Sequence, residues 1–243
     1  GENSENIILE FVTIEKGTFR MGSALGDWDE LPDFKVNISN GFKLAVSEVT
    51  NDLYEQFDPK HNEFRGKDGA LAQDDDPVVF VSWDDAMAFC DWLSTKNGTP
   101  YRLPTEAEWE LACQQQPHLF SPKVENWCYD WYGLYTTTSK TDPLGYKSGH
   151  LRVTRGGSYR AEQTSLFAAN RSANVAQDRN RVVSFRIVEG PLPDGTLLQE
   201  KSTRRWEMDV SQKKYDWKPI VDMEKPYFAE PIQYMKVMQG IKG

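Results

Sequence analysis

Residues 7–14 (IILEFVTI) alternate in polarity and carry β-branched and aromatic side chains, which predicts a strand. GTFRMGS (17–23) turns on a glycine into a second strand, and the acidic run DWDELPD (27–33) reads as a loop. VNISNGFKLAVSEV (36–49) reads as strand, Asn-Gly turn and strand. Thr50 or Asn51 stands where a cap is needed for a short helix, NDLYEQF, which Pro59 ends.

DDDPVVFVSW (74–83) passes from an acidic loop into a buried strand, and Ser82 with Asp85 has the spacing of a capping box. The helix that follows, about 83–96, puts Ala86, Phe89, Trp92 and Leu93 on one face and stops at Asn97-Gly98. Thr105 and Glu108 form a second box on a helix over 105–113, with Trp109 and Ala112 turned inward. Further strands are expected at LRVTRGG (151–157) and VVSFRIV (182–188). Few regular elements among many turn residues predict a loop-rich α+β domain.

Composition narrows the function classes. The net charge of −9 over 243 residues argues against nucleic acid and against an anionic membrane surface, both of which need clustered Lys and Arg. No run approaches the roughly 18 to 20 apolar residues of a spanning helix. Eight Trp are read first as core and second as a stacking surface for sugars. Cys90, Cys113 and Cys128 are odd in number and lack CxxC spacing, so they are expected to be buried, inert thiols. Residues 190–243 open with GPLPDG, are nearly neutral and hold Trp206, Tyr215, Trp217, Tyr227, Phe228 and Tyr234 without a clean period. The chain is therefore divided into a domain over 1–189 and an aromatic-rich extension or linker over 190–243, leading toward a further C-terminal domain in the native chain.

Four stretches, in order, resemble the sulfatase-modifying-factor family of the formylglycine-generating enzymes. They are FVTIEKGTFRMGS (11–23), FKLAVSEVTNDLYEQF (42–57), PVVFVSWDDAMAFCDWLSTKNGTPYRLPTEAEWELAC (77–113) and RVTRGGSYRAEQTSLFAANRSANVAQDRNRVVSFRIV (152–188). The resemblance implies an irregular, loop-rich α+β fold related to C-type lectins. It also implies a tight backbone passage at RGGS, where a β-carbon would clash.

Active relatives oxidise a substrate cysteine with oxygen, using copper held by two thiolates, the soft ligands that Cu(I) prefers. The matching positions here are Ala161 and Leu166, which cannot bind copper. Glu162 and Phe167 replace a histidine and an arginine, Glu125 replaces a tryptophan and Val182 an asparagine, so of that pocket only Ser158 remains. The resemblance thus implies that formylglycine-generating activity and copper are absent. A second branch uses iron held by three histidines, but His61, His118 and His150 are isolated and are expected on loops or at the surface. Calcium is not expected either, since Asn126 stands at the ligand glutamate and Asp74, Asp75 and Asp76 read as solvated loop.

An intact scaffold with an emptied site points to a non-catalytic recognition module for a carbohydrate or protein ligand. Its candidate contacts are Trp131, Tyr132, Tyr135, Ser158, Tyr159, Glu162 and Arg171, since aromatics stack on sugar faces while Arg and carboxylates grip polar groups. The alternative is a structural or accessory domain of a larger, glycosidase-like multidomain protein. A third reading is an oxidoreductase of unrecognised type, although Glu106 and Glu108, two apart on a helix, point to different faces. Family habit places such domains in the periplasm, outside the cell or on its surface.

Overall fold

A computed structural model describes residues 5–120, 123–157 and 168–198. In chain order its strands and α-helices are β1 (Phe11–Ile14), β2 (Gly17–Met21), β3 (Phe34–Ile38), β4 (Phe42–Ala45), α1 (Asn51–Glu55), α2 (Trp83–Asn97), β5 (Tyr101–Arg102) and α3 (Glu106–Gln115). They continue with β6 (Glu125–Trp131), β7 (Lys140–Thr141), β8 (Pro143–Tyr146), β9 (Arg152–Arg155), β10 (Arg171–Asn174), β11 (Val183–Ser184), β12 (Val188–Glu189) and β13 (Thr196–Leu198). One sheet runs β1-β4-β12-β5, a second runs β10-β9-β6-β8-β13 with β11 alongside β6, and a third runs β2-β3-β7. The chain is the loop-rich α+β domain that its pattern predicts, and α3 touches strands of all three sheets.

Local chemistry sets the helices. Ser82 keeps an extended backbone, its Oγ accepts from the Asp85 N–H at 3.0 Å, and the Asp85 carboxylate accepts from the Ser82 N–H at 2.9 Å. Two orphan donors of α2 are satisfied in this way. Gly98, at φ 66°, ends the helix in the left-handed conformation that a β-carbon disfavours. Ala86, Phe89, Cys90 and Leu93 of α2 are buried with Trp127 and Phe185, while Trp92 packs partly buried at the margin.

Several expectations are corrected. Only residues 11–14 of the stretch 7–14 form a strand, because the Asn97 side-chain amide takes both the N–H and the carbonyl of Ile7. The Asn-Gly turn does not close a hairpin: β3 pairs with β2, while β4 lies between β1 and β12. Val78 to Val81 are buried, but no strand forms there. The Val78 N–H goes to Val49, the Phe80 N–H to Asn180, and Phe80 itself sits at φ 59°. The run 182–188 splits into β11 and β12, which join different sheets. The acidic run holds a 3-10 turn over Trp28–Glu30 in which Asp29 and Glu30 are buried. His61 is buried in the core, its Nε2 2.8 Å from the Val79 carbonyl oxygen. Thr105 caps α3, but Glu108 does not complete the box, because its carboxylate is paired with Arg102 at 3.1 Å.

Candidate functional site

Helix α3 carries Glu106, Glu108 and Glu110, and all three are buried. Residues two apart face different sides of a helix and residues four apart share one. Glu108 accordingly meets Arg102, while Glu106 and Glu110 turn together toward β9 and β10. In that antiparallel pair Arg155 lies directly opposite Arg171, a juxtaposition of like charges that costs stability unless something answers it. Glu106 answers both. Its Oε1 accepts from Arg155 Nε at 3.0 Å and from Arg171 Nε at 2.5 Å, and its Oε2 accepts from Arg171 Nη2 at 3.0 Å. Glu110 takes Arg155 Nη2 at 2.6 Å, and the Tyr135 hydroxyl bridges Glu106 and Arg155.

The guanidiniums also tie in the surrounding loops. Arg155 donates to the Ala168 carbonyl, and Arg171 donates to the carbonyls of Asp29 and Gly133. The Arg171 guanidinium lies 3.9 Å from the Tyr135 ring centre and 4.5 Å from that of Tyr132. From β6, Asp130 accepts the Glu106 N–H at 2.8 Å, so a side chain from another element occupies one donor at the start of α3.

Charge in this interior is unevenly matched. Burial pushes the Glu106 carboxyl up, but the Arg171 and Arg155 guanidiniums outweigh it and hold the group below its usual range. Burial raises Glu110 to about 7 against the pull of Arg155. Among the described residues no guanidinium pairs with Asp130; burial, then the Glu106 charge, lifts it to about 8.

Trp131, Tyr135 and Arg171 border one small cavity together with Glu106, Asp130 and Lys140. Its volume, about 30 Å³, is room for a water or two. Trp131 and Tyr135 are partly exposed, whereas Tyr132 and Arg171 are buried, and the Tyr132 hydroxyl donates to Asp29. Ser158, Tyr159 and Glu162 lie outside the described residues, as do Ala161 and Leu166. A wider cavity of about 780 Å³ adjoins the site, with Asp27, Glu30, Glu110, Gln114 and Asn170 on its walls. The carboxylates of Asp27, Asp29 and Glu30 gather within 4.8 Å of one another, and Asp27 and Glu30 cap the turn between them.

Two further features bear on the chemistry. The chain's three cysteines are all buried and unpaired by disulfides. Burial raises each thiol, Cys113 to about 11 and Cys90 and Cys128 further still. Asn126 is spent in the core, accepting from Trp109 Nε1 and Arg186 Nε and donating to Glu48.

Sequence reading missed the Glu106–Glu110–Arg155–Arg171 cluster as a unit. The signal was the i, i+4 glutamate pair on an otherwise apolar helix face, together with arginines inside short strands that have no polar face to spare.

A loop-rich α+β domain of this architecture is the fold shared by formylglycine-generating enzymes and C-type-lectin-like proteins. Residues 2–120 match the profile of the sulfatase-modifying factor enzyme 1-like domain, and that part of the chain is similar to the family. The chain is 29% identical to serine/threonine-protein kinase pkn1 of Chlamydia pneumoniae, over 75% of this chain and 38% of that protein. It is 27% identical to the formylglycine-generating enzyme of Bos taurus, over 51% of this chain and 46% of that enzyme. The chain thus matches less than half the length of either relative. Among solved structures, Treponema denticola variable protein 1 superposes with a TM-score of 0.64 at 19% identity, covering 74% of this chain and 95% of that one. No helix among the described residues is long and apolar enough to cross a membrane.

Proposed function

We propose that this chain is a non-catalytic recognition module for a carbohydrate or protein ligand, built on a formylglycine-generating-enzyme scaffold and working without copper or calcium. The observation that carries this reading is the state of its thiols. Copper-dependent cysteine oxidation needs two accessible thiolates, and every cysteine of the chain is buried with its thiol driven toward the protonated form. The copper donor set therefore does not fit these residues. Asn126, at the position the resemblance gives to a calcium ligand, has its amide committed to Trp109, Arg186 and Glu48.

The polar groups of the candidate site also favour architecture over chemistry. Arg155 and Arg171 are saturated by carboxylates and carbonyls, so they serve the packing of the interior. Trp131 and Tyr135, both partly exposed, are the members that remain able to meet a ligand. Ser158, Tyr159 and Glu162 complete the proposed contact set.

The test is a binding screen of the purified chain against sulfated, sialylated and plain glycans and a panel of extracellular proteins. A specific ligand whose binding falls on Trp131→Ala supports the reading, and silence across the screen removes it.

A second reading, an accessory domain of a larger multidomain protein, is favoured by the match to only 38% of the kinase relative. Deleting residues 1–189 from the complete gene product tests it. Unchanged stability and activity of the remainder would count against the accessory role.

A further inference from the structure

Arg152 stands apart from the buried arginines already described. Its guanidinium carbon lies 3.5 Å from the Trp131 ring centre and 3.7 Å from that of Trp83, so the group sits over both indoles. Nη1 donates to the Tyr129 carbonyl at 2.9 Å. Nε is buried with no hydrogen-bond partner, and among the described residues no carboxylate forms an ion pair with the group. Cation–π attraction fixes the position of a guanidinium but does not neutralise it. A partly desolvated cation without a counter-charge is an energetic deficit that a bound anion relieves. Burial correspondingly draws the Arg152 side chain down to about 10.

The surroundings permit such an anion. The acids that act on Arg152 are Asp130 and Asp84. Asp130 lies well inside, with its carboxyl raised to about 8, and Asp84 already accepts from the Gln177 side chain at 3.1 Å. Trp83, Tyr129 and Trp131 are each partly exposed, giving flat apolar surface next to the cation. A guanidinium held over two partly exposed indoles, with Nε buried and Nη1 on the Tyr129 carbonyl, turns its Nη end to the carboxylate of a ring whose apolar face lies against the indole margin.

We propose that the Trp83–Arg152–Trp131 stack is a recognition site for the carboxylate of an acidic saccharide of the uronic-acid type. This deepens the recognition-module reading and rests on it.

The experiment titrates the full chain, labelled with nitrogen-15, with glucuronate, following the indole and Arg152 Nε–H resonances by NMR. Glucose, acetate and an acidic peptide serve as comparison ligands. The expected result is saturable shifts centred on Trp83, Trp131 and Arg152 with glucuronate, weaker by about tenfold or more in Arg152→Gln, as loss of a charge partner in a binding site produces. Arg152→Lys, which keeps the charge but not the planar fork, is expected to bind more weakly than the parent while retaining its near-ultraviolet circular dichroism. That variant carries the test if Arg152→Gln does not fold.

Absent shifts with glucuronate would overturn the proposal. So would shifts of equal affinity in a folded Arg152 variant. An equal response to acetate would reduce the site to a bare anion contact, and tighter binding of the peptide would replace the saccharide with a protein ligand; both overturn the saccharide assignment. A chain that ignores glucuronate yet retains another ligand in the wider screen would lose this site and keep the recognition reading.

Discussion

At the scale of single residues, the interior is organised by one carboxylate between two arginines. Arg155 and Arg171 face each other across β9 and β10, and Glu106 reaches both from α3. Replacing Glu106 with Gln keeps the shape but leaves two buried guanidiniums opposed, and removing one partner of a buried ion pair costs about 3 to 5 kcal/mol. Glu106→Gln should therefore lose stability on that scale in chemical denaturation, and a loss under about 1 kcal/mol would show the cluster to be unimportant. Asp130 gives a pH signature of the opposite kind. Its carboxyl rises from 3.8 to about 8 on folding, so the native state holds a proton that the unfolded chain releases. Its contribution is complete below the unfolded value and is lost as pH rises through about 8, so stability falls with rising pH across that window. Asp130→Asn should flatten this part of the pH–stability curve; an unchanged slope would assign it to other groups.

At the scale of elements, what the sequence makes legible is what is decided locally. The cap of α2, its stop at Gly98 and the inward side of α3 all depend on residues within a few positions of one another, and each forms where the pattern places it. Ser82→Ala should cost about 1 kcal/mol by removing the cap, measured as a shift in the denaturation midpoint without a change in its slope. Pairing was not legible, because it is settled by distant partners. The Asn-Gly turn between β3 and β4 looks like a hairpin, but β4 is claimed by β1 and β12 instead. VVSFRIV reads as one strand and is divided because Phe185 and Arg186 must be buried between two sheets. The same holds for the candidate site. Arg155 and Arg171 lie 49 and 65 residues from Glu106, and nothing local announces that one carboxylate will serve two arginines.

At the scale of the whole molecule, the loop-rich α+β fold is kept and the chain's three thiols are buried inside it. Gly156, at φ 92° and with an added β-carbon 3.3 Å from the Trp109 ring, keeps the backbone passage of the RGGS turn that the resemblance implied. The thiols have a different fate, and their burial is open to direct test. Cys90, Cys113 and Cys128 should stay unreactive toward a thiol-specific reagent in the native protein and react together on unfolding, since the thiolate is the reactive form. A rapid native reaction of any one of them would reopen the redox reading.

The central claim, recognition without chemistry, is tested most directly by affinity selection from a mixed glycan and protein library, followed by mass spectrometry of whatever the chain retains. The account predicts a specific ligand recovered with its mass unchanged after prolonged incubation in air with added copper. A retained ligand that emerges chemically altered, or a library from which nothing is retained, would contradict it.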